Sequence, residues 1–453
     1  MRFDLFIKNA IVVLESELYS GGIAIKDGKI AKLIAPDETV SSAQTIDAQG
    51  CVLMPGGIDT HSHFFEPGPN YREDILHGTK AAASGGYTTV MDMPNTDPPV
   101  DSPNHFFLKA KLFAENAVVD YALWGASLPG KADRIAELRR CGCPAFKAFV
   151  SDAGPSYPSS DSFAIFEGMQ AVKAAGGIYA AHAEDQSILD GLRRHYDNQQ
   201  WSLTLHDATR PWYAELSAIS KLLLFAKVTG CPLHICHTSI PEGVELAKAA
   251  RVHGVDVTIE TCPHYLLFDY ESIAETGPYS LICPPIRSRE RVDRMWELVR
   301  SGDVAYMGTD HAPYTDADKN PENLWDAPGG APSIDIAIPA ILEEGVKRRG
   351  LSLPQMSAFL SSNAAKRFDI YPQKGVIREG ADADLIFVDM DCKWQYSRRN
   401  TFSKTCATGF PYEGKILTCR VIRTLVRGET VYLDGQIMAK GGYGQLICPL
   451  QLK

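Results

Sequence analysis

The chain has 453 residues, of which 45% are hydrophobic and 22% charged, a balance typical of a globular protein with a large core. Its net charge of −10 and pI near 5.7 argue against a nucleic-acid partner or an anionic membrane surface. The eleven scattered cysteines fit free thiols in a reducing compartment, so we expect a cytoplasmic protein without a membrane span.

Both ends of the chain carry strand-and-turn patterns. Residues 1–54 alternate apolar and polar positions, and Asp27-Gly28 within them is a strong hairpin signal. Similar patterns return at residues 374–389 and 422–432. We therefore expect the two ends to build one small β-sandwich.

The middle of the chain alternates short apolar runs with helix-like stretches. The apolar runs lie near residues 58–63, 88–93, 119–126, 144–150, 177–182, 232–238, 255–261 and 304–310. Eight strand–helix units predict an α/β fold, the parallel (β/α)8 TIM barrel. The predicted domains are residues 1–54 and 365–453 for the β-sandwich and tail, and residues 55–364 for the barrel. Residues 312–333, rich in Pro, Asp, Asn and Gly, predict a long loop that acts as a lid.

Several predicted barrel strands end in residues that can ligate a metal. Active sites of such barrels gather at the C-terminal ends of the strands, so these positions are informative. His61 and His63 share one face of the first strand, because residues i and i+2 do so. Four later strands each contribute one further candidate: Lys147, His182, His237 and Asp310. Each residue alone has a structural explanation, but together the imidazoles and the carboxylate favour a site for zinc or another divalent metal.

The motifs around these residues resemble those of the cyclic amidohydrolases, a family that includes allantoinases, dihydropyrimidinases (hydantoinases) and dihydroorotases. The resemblance runs nearly end to end, and residues 224–245 look most like the corresponding segment of allantoinases. The matching motifs are Pro55-Gly-Gly-Ile-Asp-Thr-His-Ser-His63, Glu66-Pro-Gly68, Gly78-Thr-Lys-Ala-Ala-Ala-Ser-Gly-Gly-Tyr-Thr-Thr89, Phe146-Lys147, His182-Ala-Glu184, His234-Ile-Cys-His237, Cys262-Pro-His-Tyr265 and Asp310-His-Ala-Pro313.

The resemblance implies a role for Lys147, because the matching lysine of these enzymes is carboxylated and its carbamate bridges two metal ions. An ammonium has no lone pair for a metal, whereas a carbamate has an oxygen for each ion. The resemblance also divides the other ligands between two divalent ions, zinc being expected: His61, His63 and Asp310 for one, His182 and His237 for the other. It further implies hydrolysis of a cyclic amide, with Asp310 acting first as base and then as acid.

Four residues are candidates for contact with the substrate: Phe65, Asn95, Cys283 and Pro332. Cys283 and Pro332 fall where the family offers main-chain groups to the substrate ring, and a proline can offer only its carbonyl. Phe65 replaces an arginine that pairs with the substrate carboxylate in dihydroorotases, so we expect a neutral ring. Asn95, in contrast, matches the dihydroorotase pattern.

Five nearby polar residues are not assigned to the chemistry. His311 is expected to support the site from the opposite face of its strand, and His264 either lines the site or is structural. Tyr157 is predicted to be a solvent-facing loop residue, although a tyrosine polarises the carbonyl in dihydropyrimidinases. Arg210 and Glu215 are predicted to be structural.

The leading hypothesis is a dinuclear hydrolase that opens a cyclic ureide, with allantoin converted to allantoate. Opening of a hydantoin or dihydropyrimidine ring comes second, and a dihydroorotase-like activity is less favoured. A non-catalytic homologue is the least favoured, because all six metal ligands are present. By analogy with the family we expect a homo-oligomer, a tetramer.

Overall fold

The structure, a computed structural model, describes residues 2–452. Its strands are β1 (Phe3–Val13), β2 (Leu18–Lys26), β3 (Lys29–Ile34), β4 (Ser42–Asp47), β5 (Val52–Pro55), β6 (Gly57–Ser62), β7 (Tyr87–Asp92), β8 (Asp120–Leu123), β9 (Gly125–Ala126), β10 (Phe146–Phe149), β11 (Tyr179–His182), β12 (Leu233–Ile235), β13 (Val257–Thr261), β14 (Tyr306–Met307), β15 (Leu385–Asp389), β16 (Trp394–Gln395), β17 (Ile416–Leu417), β18 (Arg420–Val426), β19 (Glu429–Leu433) and β20 (Gln436–Ile437). Strands therefore dominate both ends of the chain.

Helices separate the strands of the middle region. The α-helices are α1 (Ile75–Gly85), α2 (Pro103–Asn116), α3 (Ile135–Cys141), α4 (Ser162–Ala174), α5 (Gln186–His195), α6 (Leu203–Thr209), α7 (Trp212–Thr229), α8 (Pro241–Val252), α9 (Pro263–Leu267), α10 (Tyr270–Ile273), α11 (Arg289–Arg300), α12 (Asp316–Lys319), α13 (Ala337–Leu342), α14 (Leu353–Ser357) and α15 (Asn363–Arg367). Helices α13 and α14 continue directly into π-helical turns, Glu343–Arg348 and Ala358–Ser362. Within residues 2–452, none of the helices has both the length and the apolar character that a membrane crossing needs.

The middle of the chain forms the predicted barrel. Strands β6, β7 and β8 pair in parallel, and β9 to β14 do so in chain order. Trp124 separates β8 from β9, which are two halves of the third barrel strand. The ring closes beside the first strand, where the backbone N–H of His63 donates to the carbonyl oxygen of His311 (2.9 Å). The predicted (β/α)8 fold is confirmed.

The two ends of the chain together form one mixed sheet, in the order β20-β19-β18-β15-β5-β1-β2-β3 with β4 beside β1. The N-terminal and C-terminal strands meet where β5 pairs antiparallel with β15. Side chains of one face, among them Ile7, Leu53 and Phe387, pack into a single buried cluster. The predicted turn at Asp27-Gly28 joins β2 to β3 with positive φ at both residues, which suits a hairpin. A small β domain built from both termini is confirmed.

We propose domain boundaries close to those expected from the sequence. The first lies between β5, which belongs to the terminal sheet, and β6, which belongs to the barrel. The second lies after Arg367, where α15 ends, rather than at residue 364, because a boundary there would cut this helix.

The C-terminal tail enters the barrel wall, which the sequence pattern did not predict. The N–H of Tyr121 on β8 donates to the carbonyl oxygen of Gln445 (2.9 Å), and the N–H of Ile447 donates to that of Tyr121 (2.7 Å). The tail thus takes the place beside β8 that the next barrel strand would otherwise occupy. This explains why the barrel strands fall into two hydrogen-bonded groups.

A buried ion network at Lys374 joins the barrel to the terminal domain. The Lys374 Nζ is fully buried and lies 2.5 Å from Asp120, 3.1 Å from Asp382 and 2.7 Å from Asp384, measured to the Oδ2 atoms. Asp120 belongs to β8, whereas the other two precede β15. Burial alone would lower the pKa of Lys374, but the three carboxylates outweigh it and raise the pKa.

Replacing Lys374 with methionine is expected to lower the free energy of unfolding by about 3–5 kcal/mol, because the buried Asp384 loses its cation, whereas Asp120 keeps Arg427 and Asp382 keeps Lys29. Denaturant unfolding of the variant and the parent protein measures the loss. Lys366→Met is the matched control, since Lys366 pairs with Glu15 (3.0 Å) in a half-exposed ion pair and its loss should cost less than about 1 kcal/mol. Equal losses in the two variants would contradict a joining role for the network.

Candidate active site

A cavity of about 760 Å³ lies at the C-terminal ends of the barrel strands. Five of the six predicted metal ligands line it: His61, His63, His182, His237 and Asp310. The sixth, Lys147, lies on β10 and is fully buried. The structure therefore gathers the predicted ligands at the end of the barrel where such folds carry their active sites.

His61, His63 and Asp310 form the first group of ligands. The Oδ1 atom of Asp310 lies 3.3 Å from His61 Nε2 and 3.2 Å from His63 Nε2, and one ligand atom of each residue lies within 4.8 Å of the others. Burial raises the pKa of the Asp310 carboxyl, but the two imidazoles outweigh it and bring the pKa to about 2. Burial, and then the charge of Lys147, lower the pKa of His61 to about 4. An ionised carboxylate beside a neutral imidazole is a donor set that fits a divalent cation.

His182 and His237 form the second group. His182 Nε2 lies 2.8 Å from Glu184 Oε2, and a carboxylate only accepts hydrogen bonds, so the imidazole proton belongs on this nitrogen. The other nitrogen, His182 Nδ1, then presents a lone pair 3.1 Å from His237 Nε2. Burial lowers the pKa of both imidazoles. Two neutral imidazoles with facing nitrogens fit a second cation.

The positive charge of Lys147 acts on both groups of ligands. It contributes to the lowered pKa of His61, His182 and His237. In the described part of the chain, its Nζ has no hydrogen-bond partner and no carboxylate in an ion pair. The Phe149 ring centroid lies 5.0 Å away. A buried ammonium without an anion is costly, so this orphaned amine fits a lysine that carries an added group.

A family model described as the amidohydrolase family matches residues 52–431. The chain belongs to this family. An allantoinase of Rubrobacter xylanophilus is 39% identical, and the match covers 100% of this chain and 99% of the relative. An L-hydantoinase of Paenarthrobacter aurescens is 32% identical, over 98% of each chain. A solved structure titled L-hydantoinase (dihydropyrimidinase) from Arthrobacter aurescens has a TM-score of 0.95 at 32% identity, and covers 98% of this chain and 100% of its own.

The amidohydrolase family is metal-dependent, and this amidohydrolase has residues that can hold metal ions. Three of its four predicted substrate contacts, Phe65, Asn95 and Cys283, line the cavity. Asn95 Oδ1 is buried and meets no hydrogen-bond partner within residues 2–452. Pro332 is buried but is not among the lining residues. Contact of these residues with a substrate stays a prediction.

The loop predicted over residues 312–333 forms part of the cavity wall of this amidohydrolase. It contributes Ala312, Tyr314, Trp325, Asp326, Pro328 and Gly329 to the lining. Within it, the buried Lys319 Nζ donates to the carbonyl oxygens of Leu281 (3.1 Å) and Pro328 (2.9 Å). Lys319 thus joins the loop to the segment that carries Cys283, although a lid movement stays a prediction.

The prediction of a solvent-facing Tyr157 is wrong. This side chain is only 2% exposed, and its hydroxyl donates to the backbone carbonyl oxygen of Lys147 (2.6 Å). Its ring packs against Phe149 with 5.0 Å between the centroids, in a cluster that also contains Ala126 and Leu128. Burial of the ring against these apolar residues outweighs the polar character of its loop.

Arg210 and Glu215 differ in their relation to the cavity. Arg210 lines it and pairs with Glu184, the same carboxylate that holds His182. The cavity position of Arg210 was not predicted. Glu215 is buried, and it accepts hydrogen bonds from the N–H of Ser239 (2.8 Å) and from Arg287 (3.3 Å).

His264 and His311 are both buried. One ring nitrogen of His264, the Asp310 carboxylate and the Cys262 thiol lie within 4.8 Å of one another, and neither His264 nitrogen has a hydrogen-bond partner within residues 2–452. His311 Nδ1 accepts from the N–H of Ser333 (3.1 Å). His311 thus joins the strand end that carries Asp310 to Ser333 at the end of the loop.

Two carboxylates beside the predicted ligands, Glu184 and Glu260, were not predicted from the sequence. Glu184 stands two residues after His182 at a strand end, and this i, i+2 spacing was a signal that the two side chains share a face. Glu260 is a charged residue inside the apolar run Val257–Thr261. A carboxylate in a buried strand needs hydrogen-bond or cationic partners, so Glu260 could have been recognised as a candidate residue of the site.

Proposed function

We propose that this protein hydrolyses the ring of a cyclic ureide, with allantoin as the substrate and allantoate as the product. The observation that carries the proposal is that two groups of metal ligands line one cavity and that the charge of the buried Lys147, whose amine has no hydrogen-bond partner in the described residues, acts on both groups. Relatives named allantoinase, at 39%, 36% and 35% identity over at least 95% of this chain, support allantoin. The presence of all six ligands disfavours a non-catalytic homologue.

We infer two divalent metal ions, zinc being the first candidate because the ligands are imidazole and carboxylate. His61, His63 and Asp310 would hold one ion, His182 and His237 the other, and an N6-carboxylated Lys147 would hold both. When bound, such a pair polarises the substrate carbonyl and lowers the pKa of water. The residues fit this assignment because burial lowers the pKa of the His61, His182 and His237 imidazoles and the Lys147 amine has no hydrogen-bond partner in the described residues.

Asp310 is the group that moves the proton. Its carboxylate is ionised and lies at the cavity wall, so it accepts the proton of the attacking water. It then delivers this proton to the amide nitrogen that leaves when the ring opens. Phe65 and Tyr314, whose ring centroids lie 5.5 Å apart, form an apolar part of the wall beside it.

The second candidate is hydrolysis of a hydantoin or a dihydropyrimidine. It is favoured by the TM-score of 0.95 to the structure titled L-hydantoinase (dihydropyrimidinase). Turnover of allantoin, unsubstituted hydantoin and dihydrouracil by one metal-loaded sample separates the candidates. The proposal for allantoin fails if allantoin has the lowest kcat/KM of the three.

Dihydroorotate is expected to be a poor substrate, with kcat/KM about 100- to 5,000-fold below that of allantoin. Its carboxylate would lack a cation, and an unpaired buried charge costs about 3–5 kcal/mol. Arg72 is engaged by Asp318 (2.8 Å), and Arg210 is engaged by Glu184. Steady-state kinetics with both substrates on the same sample tests this expectation.

The matched variant is Phe65→Arg, which restores the cation that the dihydroorotase pattern places at this position. It is expected to raise dihydroorotate turnover relative to allantoin turnover. Dihydroorotate as the better substrate of the unaltered protein would contradict the neutral-ring assignment.

We also infer a homo-oligomer, a tetramer by analogy with the family, located in the cytoplasm. The composition supports the location, because the eleven cysteines are scattered and show none of the paired spacing of a disulfide framework. Light scattering of the purified full-length protein tests the assembly.

A further inference from the structure

Glu260 lies at the centre of a hydrogen-bond network beneath the predicted metal ligands. Its side chain is fully buried on β13. Its Oε1 accepts from His61 Nδ1 (2.9 Å) and from the backbone N–H of His237 (3.1 Å). Its Oε2 accepts from Thr60 Oγ1 (2.5 Å) and lies 3.5 Å from His234 Nε2. The Glu260 carboxylate therefore joins β13 to β6, to β12 and to the residues directly after β12.

The hydrogen bond to Glu260 determines which ring nitrogen of His61 carries the proton. Both ring nitrogens of His61 face a carboxylate, which only accepts hydrogen bonds, but Glu260 is the nearer (2.9 Å from Nδ1, against 3.3 Å between Nε2 and Asp310), so the proton is assigned to Nδ1. The lone pair of His61 Nε2 then faces Asp310, 3.3 Å away, in the cavity. The partner of one ring nitrogen thereby decides that the other can ligate a metal.

The same oxygen of Glu260 holds the backbone of His237. His237 has a φ of +34°, a left-handed conformation that is strained for a residue with a side chain. Such a conformation persists only where the surroundings enforce it, and the bond from its N–H to Glu260 is one such restraint.

Gly308 supplies an independent observation. A Cβ atom at this position would lie 2.6 Å from the Glu260 carboxylate and 2.8 Å from the Cβ of His61. The chain that follows β14 can approach this closely only because residue 308 is a glycine. The segment directly after the last barrel strand therefore packs closely against the Glu260 carboxylate.

We propose that Glu260 is a positioning residue that orients two metal ligands at once, His61 of the first group and His237 of the second. The proposal rests on the proposed metal-dependent function and deepens it. Besides Lys147, Glu260 is a residue that interacts with both groups of ligands. It acts on them through hydrogen bonds and not by contact with the substrate.

Glu260→Gln tests the proposal, because a glutamine offers one carbonyl oxygen where the carboxylate accepts on both oxygens. In the full-length protein we expect metal affinity, measured by competition with a chelator, to fall about 10- to 100-fold. We expect kcat to fall by a similar factor while KM changes little. The visible spectrum of the Co²⁺-loaded variant should also differ from that of the parent, since it reports ligand geometry.

Glu215→Gln is the matched control, because Glu215 is equally buried but binds Ser239 and Arg287 rather than a metal ligand. It should reduce thermal stability without changing metal affinity. A parent protein that binds no stoichiometric metal overturns the proposed function. If the parent protein binds metal and a folded Glu260→Gln variant binds it with equal affinity, only the positioning role is overturned.

Gly308→Ala keeps the proposal testable if Glu260→Gln does not fold. The added methyl group meets both the Glu260 carboxylate and the Cβ of His61, so it disturbs the contact between these two residues while every ligand side chain is retained. Weakened metal affinity with altered Co²⁺ absorption supports the positioning role. Unchanged affinity and absorption in a folded Gly308→Ala variant contradict it.

Discussion

Lys147→Ala is expected to bind at least one metal ion fewer than the parent protein and to lose more than about 100-fold in turnover, the upper limit for loss of an outer-shell partner. The side chain is buried and its Nζ has no hydrogen-bond partner in the described residues, so its removal breaks no hydrogen bond within the protein. A large loss of metal and turnover therefore reports the carbamate rather than a structural contact. Metal analysis of the purified variant and steady-state kinetics measure the two effects.

The carbamate can also be tested directly. After incubation with ¹³C-labelled bicarbonate, the parent protein should show a carbamate carbon resonance that Lys147→Ala lacks. Added bicarbonate should not restore the variant, whereas a short-chain carboxylic acid should restore it in part, because it supplies a bridging anion. Lys173→Ala, which removes an exposed lysine on α4, is the matched control and should behave as the parent. Normal metal content and turnover in Lys147→Ala would end the bridging assignment.

Asp310→Asn is expected to lower turnover by about 100- to 10,000-fold, the range that a positioned acid–base group contributes. The asparagine keeps the shape and one oxygen ligand but cannot accept the proton of the attacking water. Metal content should therefore fall less than turnover. The variant is measured with allantoin in the presence of excess metal, so that weakened metal binding does not determine the rate.

Asp326→Asn provides the control for Asp310→Asn, because Asp326 also lines the cavity but lies outside both ligand groups. Its turnover should stay within a few-fold of the parent. A rate near that of the parent for Asp310→Asn, with metal bound, would remove Asp310 from the proton-transfer role. Equal losses in the two variants would indicate a general effect of carboxylate charge in the cavity.

The barrel and the six candidate metal ligands could be predicted from the residues alone. Both rest on local rules: strand residues two apart share a face, and parallel barrels carry their chemistry at the C-terminal strand ends. His61 with His63 and the strand end at Asp310 were therefore recognisable without any knowledge of packing. The expectation of a neutral substrate ring, which came from Phe65, also rested on residue type and stays a prediction.

Contacts between residues far apart in the chain became visible only in the folded protein. The tail at residues 445–447 enters the barrel wall, and Tyr157 turns inward onto Phe149, although neither segment has a periodicity that indicates it. The hydrogen bonds of Glu260 were equally hidden from the sequence, because its partners His61 and His237 lie on β6 and directly after β12. Such pairings depend on burial and on contacts between residues far apart in the chain, whereas a sequence pattern reports the period of a single element.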